Sequence, residues 1–123
     1  EAADQGAPLA SAITASLESR LRGEGRFALA LSGGVDSAIL ALTAARAGLQ
    51  RSLTAATVRF ANTDFDESAV AREVAREAGL DHLVVTLSTD DLAGVATEVL
   101  EGLDVPIADP SLIAQLCLAR RCR

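Results

Sequence analysis

The order of apolar and polar positions divides the chain into alternating helices and strands. Leu9, Ile13, Leu17 and Leu21 recur every four residues, the repeat of one helix face, and Gly23 ends the run. Arg26 to Leu31 is short and almost wholly apolar, as expected of a strand covered on both faces. From Asp36 helical spacing resumes with Val35, Ile39 and Leu42 and runs out at Gly48, after which Leu53 to Phe60 supplies a second β-rich run. Asp64 or Asp66 is placed to cap a third helix that turns Val70, Val74 and Ala78 inward and closes at Gly79; His82 to Leu87 then forms a third strand. Ser88 or Thr89 caps a fourth helix presenting Leu92, Val95, Val99 and Leu103. Asp109 and Pro110 open a fifth, with a carboxylate at the cap and proline at the first helical position.

Strands separated by helices of this length need right-handed crossovers, and crossovers give parallel pairing. The expected fold class is therefore α/β, a parallel doubly wound sheet with helices on both faces, with three strands present and the sheet incomplete. In such sheets ligands bind beyond the carboxyl ends of the strands. The stretch FALALSGGVDS, residues 27 to 37, leaves the first strand at that edge.

Composition narrows the partners. The chain has 123 residues, half of them apolar, enough for one domain with a core. Its net charge is -6, and its eleven cations, all Arg, are scattered among seventeen carboxylates. A clustered basic face is missing, and three Phe without Trp or Tyr offer little to stack on bases, so no nucleic acid partner is expected. No apolar stretch reaches the length of a membrane span, and the amino end lacks the pattern of a signal peptide, so no membrane partner and a cytoplasmic location are expected. Cys117 and Cys122 have no nearby His to complete a zinc set and read as reduced thiols. The chain begins at Glu1 and contains no Met, so a segment of a longer protein is expected.

The loop Ser32 to Ser37 carries the candidate chemistry. Gly33 and Gly34 remove side chains, letting backbone N–H groups approach an anion and leaving the turn free to take a positive φ. The following helix aims its unpaired N–H groups and its positive dipole end the same way. Ser32 and Ser37 can add hydroxyl donors. Asp36, the one carboxylate, would repel phosphate unless it held a Mg²⁺ shared with a nucleotide. On this chemistry alone a Gly-rich turn with Ser and Asp as ordinary helix caps fits equally well. A Walker A loop is excluded because the chain has no Lys, and the G-x-G-x-x-G fingerprint is not spelled.

SGGVDS between an apolar strand and a helix resembles the PP-loop of the ATP pyrophosphatases, enzymes that cleave ATP between the α and β phosphates to adenylate a substrate. ASLESRLRGEGRFALALSGGVDS, FDESAVAREVAREAGLDH and DVPIADPSLIAQLCLAR extend the resemblance, from about Ala10 to the last residue, to the synthetase domain of asparagine synthetases. The resemblance implies that Ser32, Gly33, Gly34 and Ser37 bind the pyrophosphate portion of ATP, that Asp36 is a Mg²⁺ ligand, and that Leu31 and Val58 line the adenine and ribose. It implies ATP and Mg²⁺ as cofactors, a small-molecule carboxylate as substrate, ammonia or an amine as donor, and a glutaminase domain or subunit as partner. It further implies a single PP-loop synthetase domain over residues 1–123, ending before the family's second motif, of the form SGxGxDE.

Two positions depart from the asparagine synthetase pattern, which usually has Leu where Val35 stands and a second Ser where Ala38 stands. Val35 is commoner in guanylate synthetases and tRNA thiolation enzymes. An adenylating enzyme acting on tRNA or a base, and a non-catalytic adenine-nucleotide module, are the alternatives. Elsewhere His82 reads as a strand-edge histidine without a role, Asp66 and Glu67 as helix-capping acids, and Arg120, Arg121 and Arg123 as a solvated helix end. Arg59 interrupts its strand at the carboxyl end, where facing a nucleotide and reaching solvent are equally open.

Overall fold

The computed structural model describes residues 6–23, 25–61, 66–102, 109 and 111–123. Its elements are α1 (Gly6–Arg20), β1 (Phe27–Ala30), α2 (Val35–Arg46), a 3₁₀ turn (Gln50–Ser52), β2 (Leu53–Phe60), α3 (Ser68–Glu77), β3 (Asp81–Leu87), α4 (Thr89–Glu101) and α5 (Ser111–Arg121). The three strands are parallel and lie in the order β1-β2-β3, which leaves β1 at an edge among the described residues. Asp64, Leu103 and Pro110, named above for a cap, an inward face and a helix start, lie outside the described residues.

β2, the central strand, is apolar on both faces because each face meets a helical layer, whereas Ala28 and Ala30 of β1 are exposed. On one face Leu29, Leu31, Leu53 and Ala55 pack with residues of α1, α2 and α3. On the other, Ala56, Val85 and Leu87 pack with Val95 of α4 and with Cys117 and Leu118 of α5. The doubly wound arrangement expected from the alternation of elements is thus present.

Helix ends follow local chemistry. Gly48 and Gly79 both take a positive φ, 75° and 64°, just past α2 and α3. The next residues, Leu49 and Leu80, donate their N–H groups back to Ala44 and Ala75 at 2.9 Å, closing the two ends in the same way. Ser88, not Thr89, caps α4: its hydroxyl accepts from Asp91 N at 3.2 Å, and Asp91 Oδ2 accepts from Ser88 N at 2.8 Å. Asp109 Oδ1 accepts from Ser111 N at 2.9 Å and opens α5 as expected.

Leu17, Val74, Ala78, Leu92 and Val95 face the core as expected, but other expected inward positions do not. Leu9, Val35, Ile39 and Val70 are exposed, Val35 at 73%. Facing the sheet in their place are small residues, Ala41 and Ala44 of α2 and Ala71 and Ala75 of α3, beside the expected Ala78, none above 3% exposed. With Ala55 beneath them, these methyl groups let the helices approach the sheet closely, and the branched residues move to the flanks.

Candidate nucleotide site

β1 ends at Ala30, and Leu31 extends its pairing by donating its N–H to Ala56 O at 2.9 Å. The chain then turns through Ser32, Gly33 and Gly34 into α2. Gly34 is the residue before the helix, with φ −81° and ψ 156° and no side-chain cap. Neither Gly33 nor Gly34 has a positive φ, so the turn does not use that freedom and their value is space. A Cβ at Gly33 would lie 3.0 Å from Glu67 Cβ, and one at Gly34 would lie 3.2 Å from Ser32 Oγ.

The two serines tie the loop together. Ser32 Oγ and Ser37 Oγ are 3.0 Å apart, Ser37 Oγ accepts from Ser32 N at 3.2 Å, and Ser32 Oγ accepts from Gly34 N at 3.2 Å. Asp36, in the first turn of α2, is exposed and makes no hydrogen bond or ion pair among the described residues. It does not cap the helix, which removes one half of the alternative in which Ser and Asp were ordinary caps.

Leu31, Ser32 and Val58 share the wall of a cavity of about 390 Å³ at the carboxyl ends of β1 and β2, together with Phe60, Glu67 and Gln115. Gly33, Gly34, Asp36 and Ser37 follow in the chain but do not line it. A larger hollow of about 500 Å³ lies between α1 and β1, lined by Ile13, Leu17 and Phe27 and by none of the loop residues.

Glu67 and Thr57, which line the cavity, were not singled out by sequence for this place. Glu67 was read as a cap, but its Oε2 accepts from Gly33 N at 3.3 Å, so a carboxylate of this chain sits on an N–H of the loop. Asp66 does the capping: its Oδ1 accepts from Ser68 N at 2.9 Å, and bonds from Ser68 hold its carboxyl below the ordinary range. Arg59, left open above, lies 3.4 Å from Asp66 Oδ2 and is half exposed. Thr57, 2% exposed, donates its hydroxyl to Leu31 O at 2.7 Å and lies 2.8 Å from His82 Nε2. His82, which sequence gave no role, is therefore held from inside the sheet, and burial, aided by Arg72, lowers its pKa.

A Mg²⁺ ion generally keeps several waters and takes one or two carboxylates plus substrate phosphate oxygens. Asp36 is exposed in the first turn of α2 with its carboxylate free of hydrogen bonds and ion pairs among the described residues, so it is open to such a role. At the other end of the chain, Arg120 pairs with Glu98, which agrees with a solvated helix end.

The family model for asparagine synthase matches residues 8–123. Proteins of Mycobacterium bovis and of two strains of Mycobacterium tuberculosis, each named as a glutamine-hydrolysing asparagine synthetase, are 33% identical over 115 residues. That stretch is 90% of this chain and 17% of theirs. Among solved structures, a glutamine-dependent NAD+ synthetase from Acinetobacter baumannii, in complex with ADP, superposes with a TM-score of 0.56 at 25% identity. The match covers 89% of this chain and 20% of that one.

Proposed function

We propose, because this chain belongs to the asparagine synthase family, that it forms the ATP-binding part of an enzyme that makes an amide by adenylating a carboxylate. The observation that carries the reading is the loop from Leu31 to Ser37: Leu31 and Ser32 line an apolar cavity, Gly33 and Gly34 add no side chains to obstruct an anion, and Asp36 makes no hydrogen bond or ion pair among the described residues. Leu31 and Val58 would hold the nucleoside, and Gly33, Gly34, Ser32 and Ser37 the phosphates. In the reaction a carboxylate oxygen bonds to the α-phosphorus while the bond to the bridging oxygen of pyrophosphate breaks. Ammonia then adds to the acyl carbon and AMP leaves. Mg²⁺ bound with the nucleotide would neutralise charge on the phosphates. The contribution of this chain is orientation of the phosphates and one ligand for that ion.

The family and the names of the relatives support ammonia from a glutaminase unit as the amine donor. The decisive measurement is exchange of labelled pyrophosphate into ATP by the intact protein, with aspartate and other small carboxylic acids supplied in turn. Carboxylate-dependent exchange is expected. Release of ADP and phosphate, or exchange indifferent to every carboxylate, would overturn the proposal.

Glu67 has a consequence for binding. Its carboxylate occupies the Gly33 N–H that an incoming phosphate would use, so the anion must displace it. Glu67→Ala should therefore tighten binding of inorganic pyrophosphate about threefold to tenfold, the worth of one exposed hydrogen bond to a charged group. Calorimetric titration of the intact protein reads this directly, and an unchanged constant would make the contact incidental.

A further inference from the structure

The peptide unit joining Leu31 to Ser32 is where β1 becomes the loop, and it is gripped at both ends. Its carbonyl accepts from Thr57 Oγ1 at 2.7 Å, and its N–H donates to Ser37 Oγ at 3.2 Å. A peptide is planar, so fixing its C=O and its N–H fixes the whole unit and hence the direction in which the loop departs.

The Thr57 hydroxyl carries a single proton, which is committed to the Leu31 carbonyl. The 2.8 Å contact with His82 Nε2 must then be a bond donated by the imidazole, which puts a hydrogen on Nε2. His82 stands opposite Ala55 in the parallel register, and Ala55 lies two residues before Thr57, so the side chains of His82 and Thr57 share one face of the sheet. A directed chain results, from β3 through β2 to the end of β1 and on to the first turn of α2. Thr57 is 2% exposed, so its hydroxyl is largely shielded from bulk solvent.

We infer that His82 and Thr57 are positioning residues for the phosphate loop: the imidazole orients the threonine hydroxyl, and the hydroxyl sets the plane of the Leu31–Ser32 peptide. This rests on the nucleotide reading of the site. Thr57 also lines the cavity, but its hydroxyl proton is committed to the Leu31 carbonyl. The effect of both residues reaches the ligand through the orientation of Ser32 and of the N–H groups that follow it, as preorganised donors act in other anion sites.

The test uses the intact protein and the α,β-methylene analogue of ATP, with binding measured by calorimetry and stability by urea unfolding. Thr57→Val keeps the shape and removes the hydroxyl; it should weaken analogue binding about tenfold. Thr57→Ser keeps the hydroxyl and should restore binding to within about twofold of the wild type. His82→Leu should weaken binding about threefold to fivefold, and His82→Gln, which returns an N–H at similar reach, should recover most of that loss. A purely structural role would lower the urea midpoints of Thr57→Val and His82→Leu while leaving the affinity of the folded protein unchanged, and that result overturns the inference. Failure of Thr57→Ser to recover affinity overturns it as well. If the wild type itself does not bind the analogue, the nucleotide reading fails, and the relay with it.

Discussion

Asp36→Asn is expected to cut carboxylate-dependent pyrophosphate exchange by about a hundredfold or more in the intact protein, since a metal ligand of this kind secures several kcal/mol of charge stabilisation. The same change should leave folding almost untouched. Asp36 makes no hydrogen bond or ion pair among the described residues, and the position before α2 is Gly34 without a side-chain cap. What the fold loses is a carboxylate's interaction with the helix dipole, about 0.3–1 kcal/mol. Asparagine has nearly the same shape, so a loss of exchange cannot be ascribed to packing. The check pairs exchange rates with thermal melts at several Mg²⁺ concentrations. Exchange within a few-fold of the wild type, at an unchanged Mg²⁺ requirement, would remove Asp36 from the metal site.

Gly33→Val should abolish measurable ATP binding, a loss of about a hundredfold or more from blocking a preorganised donor. The position needs no left-handed backbone, so valine is not excluded on conformational grounds. The obstacle is space: the new Cβ would stand 3.0 Å from Glu67 Cβ and 3.4 Å from both Glu67 Cγ and Cδ. Glu67 is exposed and can swing away, so the cost to folding stays within the usual overpacking range of about 1–3 kcal/mol. The bulk in front of the Gly33 N–H remains after Glu67 has moved. The pair Gly33→Val with Glu67→Ala separates the two effects. Recovery of ATP binding in the double variant would mean that the glycine serves only to seat Glu67.

What could be read from the sequence was what short-range chemistry determines. Gly48, Gly79, Ser88 and Asp109 end or begin helices through bonds to residues two to five positions away, and each was identifiable from its type and place. The loop and its strand-turn-helix setting were legible for the same reason. The helix faces were legible only in part, because apolar spacing counts a bulky valine above an alanine, whereas a closely applied sheet selects the alanine. Val70 and Ala71 are adjacent, and only the approach of α3 to the strands decides which is buried. Glu67 meets Gly33 across 34 residues, and His82 meets Thr57 across 25. Those contacts depend on the register of β2 with β3 and on where α3 begins, which no local pattern encodes.

The layer of alanines between the sheet and α2 and α3 reverses the usual mutational asymmetry of a protein interior. Cores built from leucine and phenylalanine are damaged chiefly by truncation, since each lost methylene leaves a void. Here Ala41, Ala44, Ala55, Ala71, Ala75 and Ala78 have almost nothing to lose, and the harm lies in enlargement, where one added methyl must force packed neighbours apart. Substitution by glycine costs roughly 1 kcal/mol within a helix, so drift in that direction is also resisted. Neutral sequence change in this domain is thereby channelled to the helix flanks, where Val35, Ile39 and Val70 stand in solvent and bind the fold least.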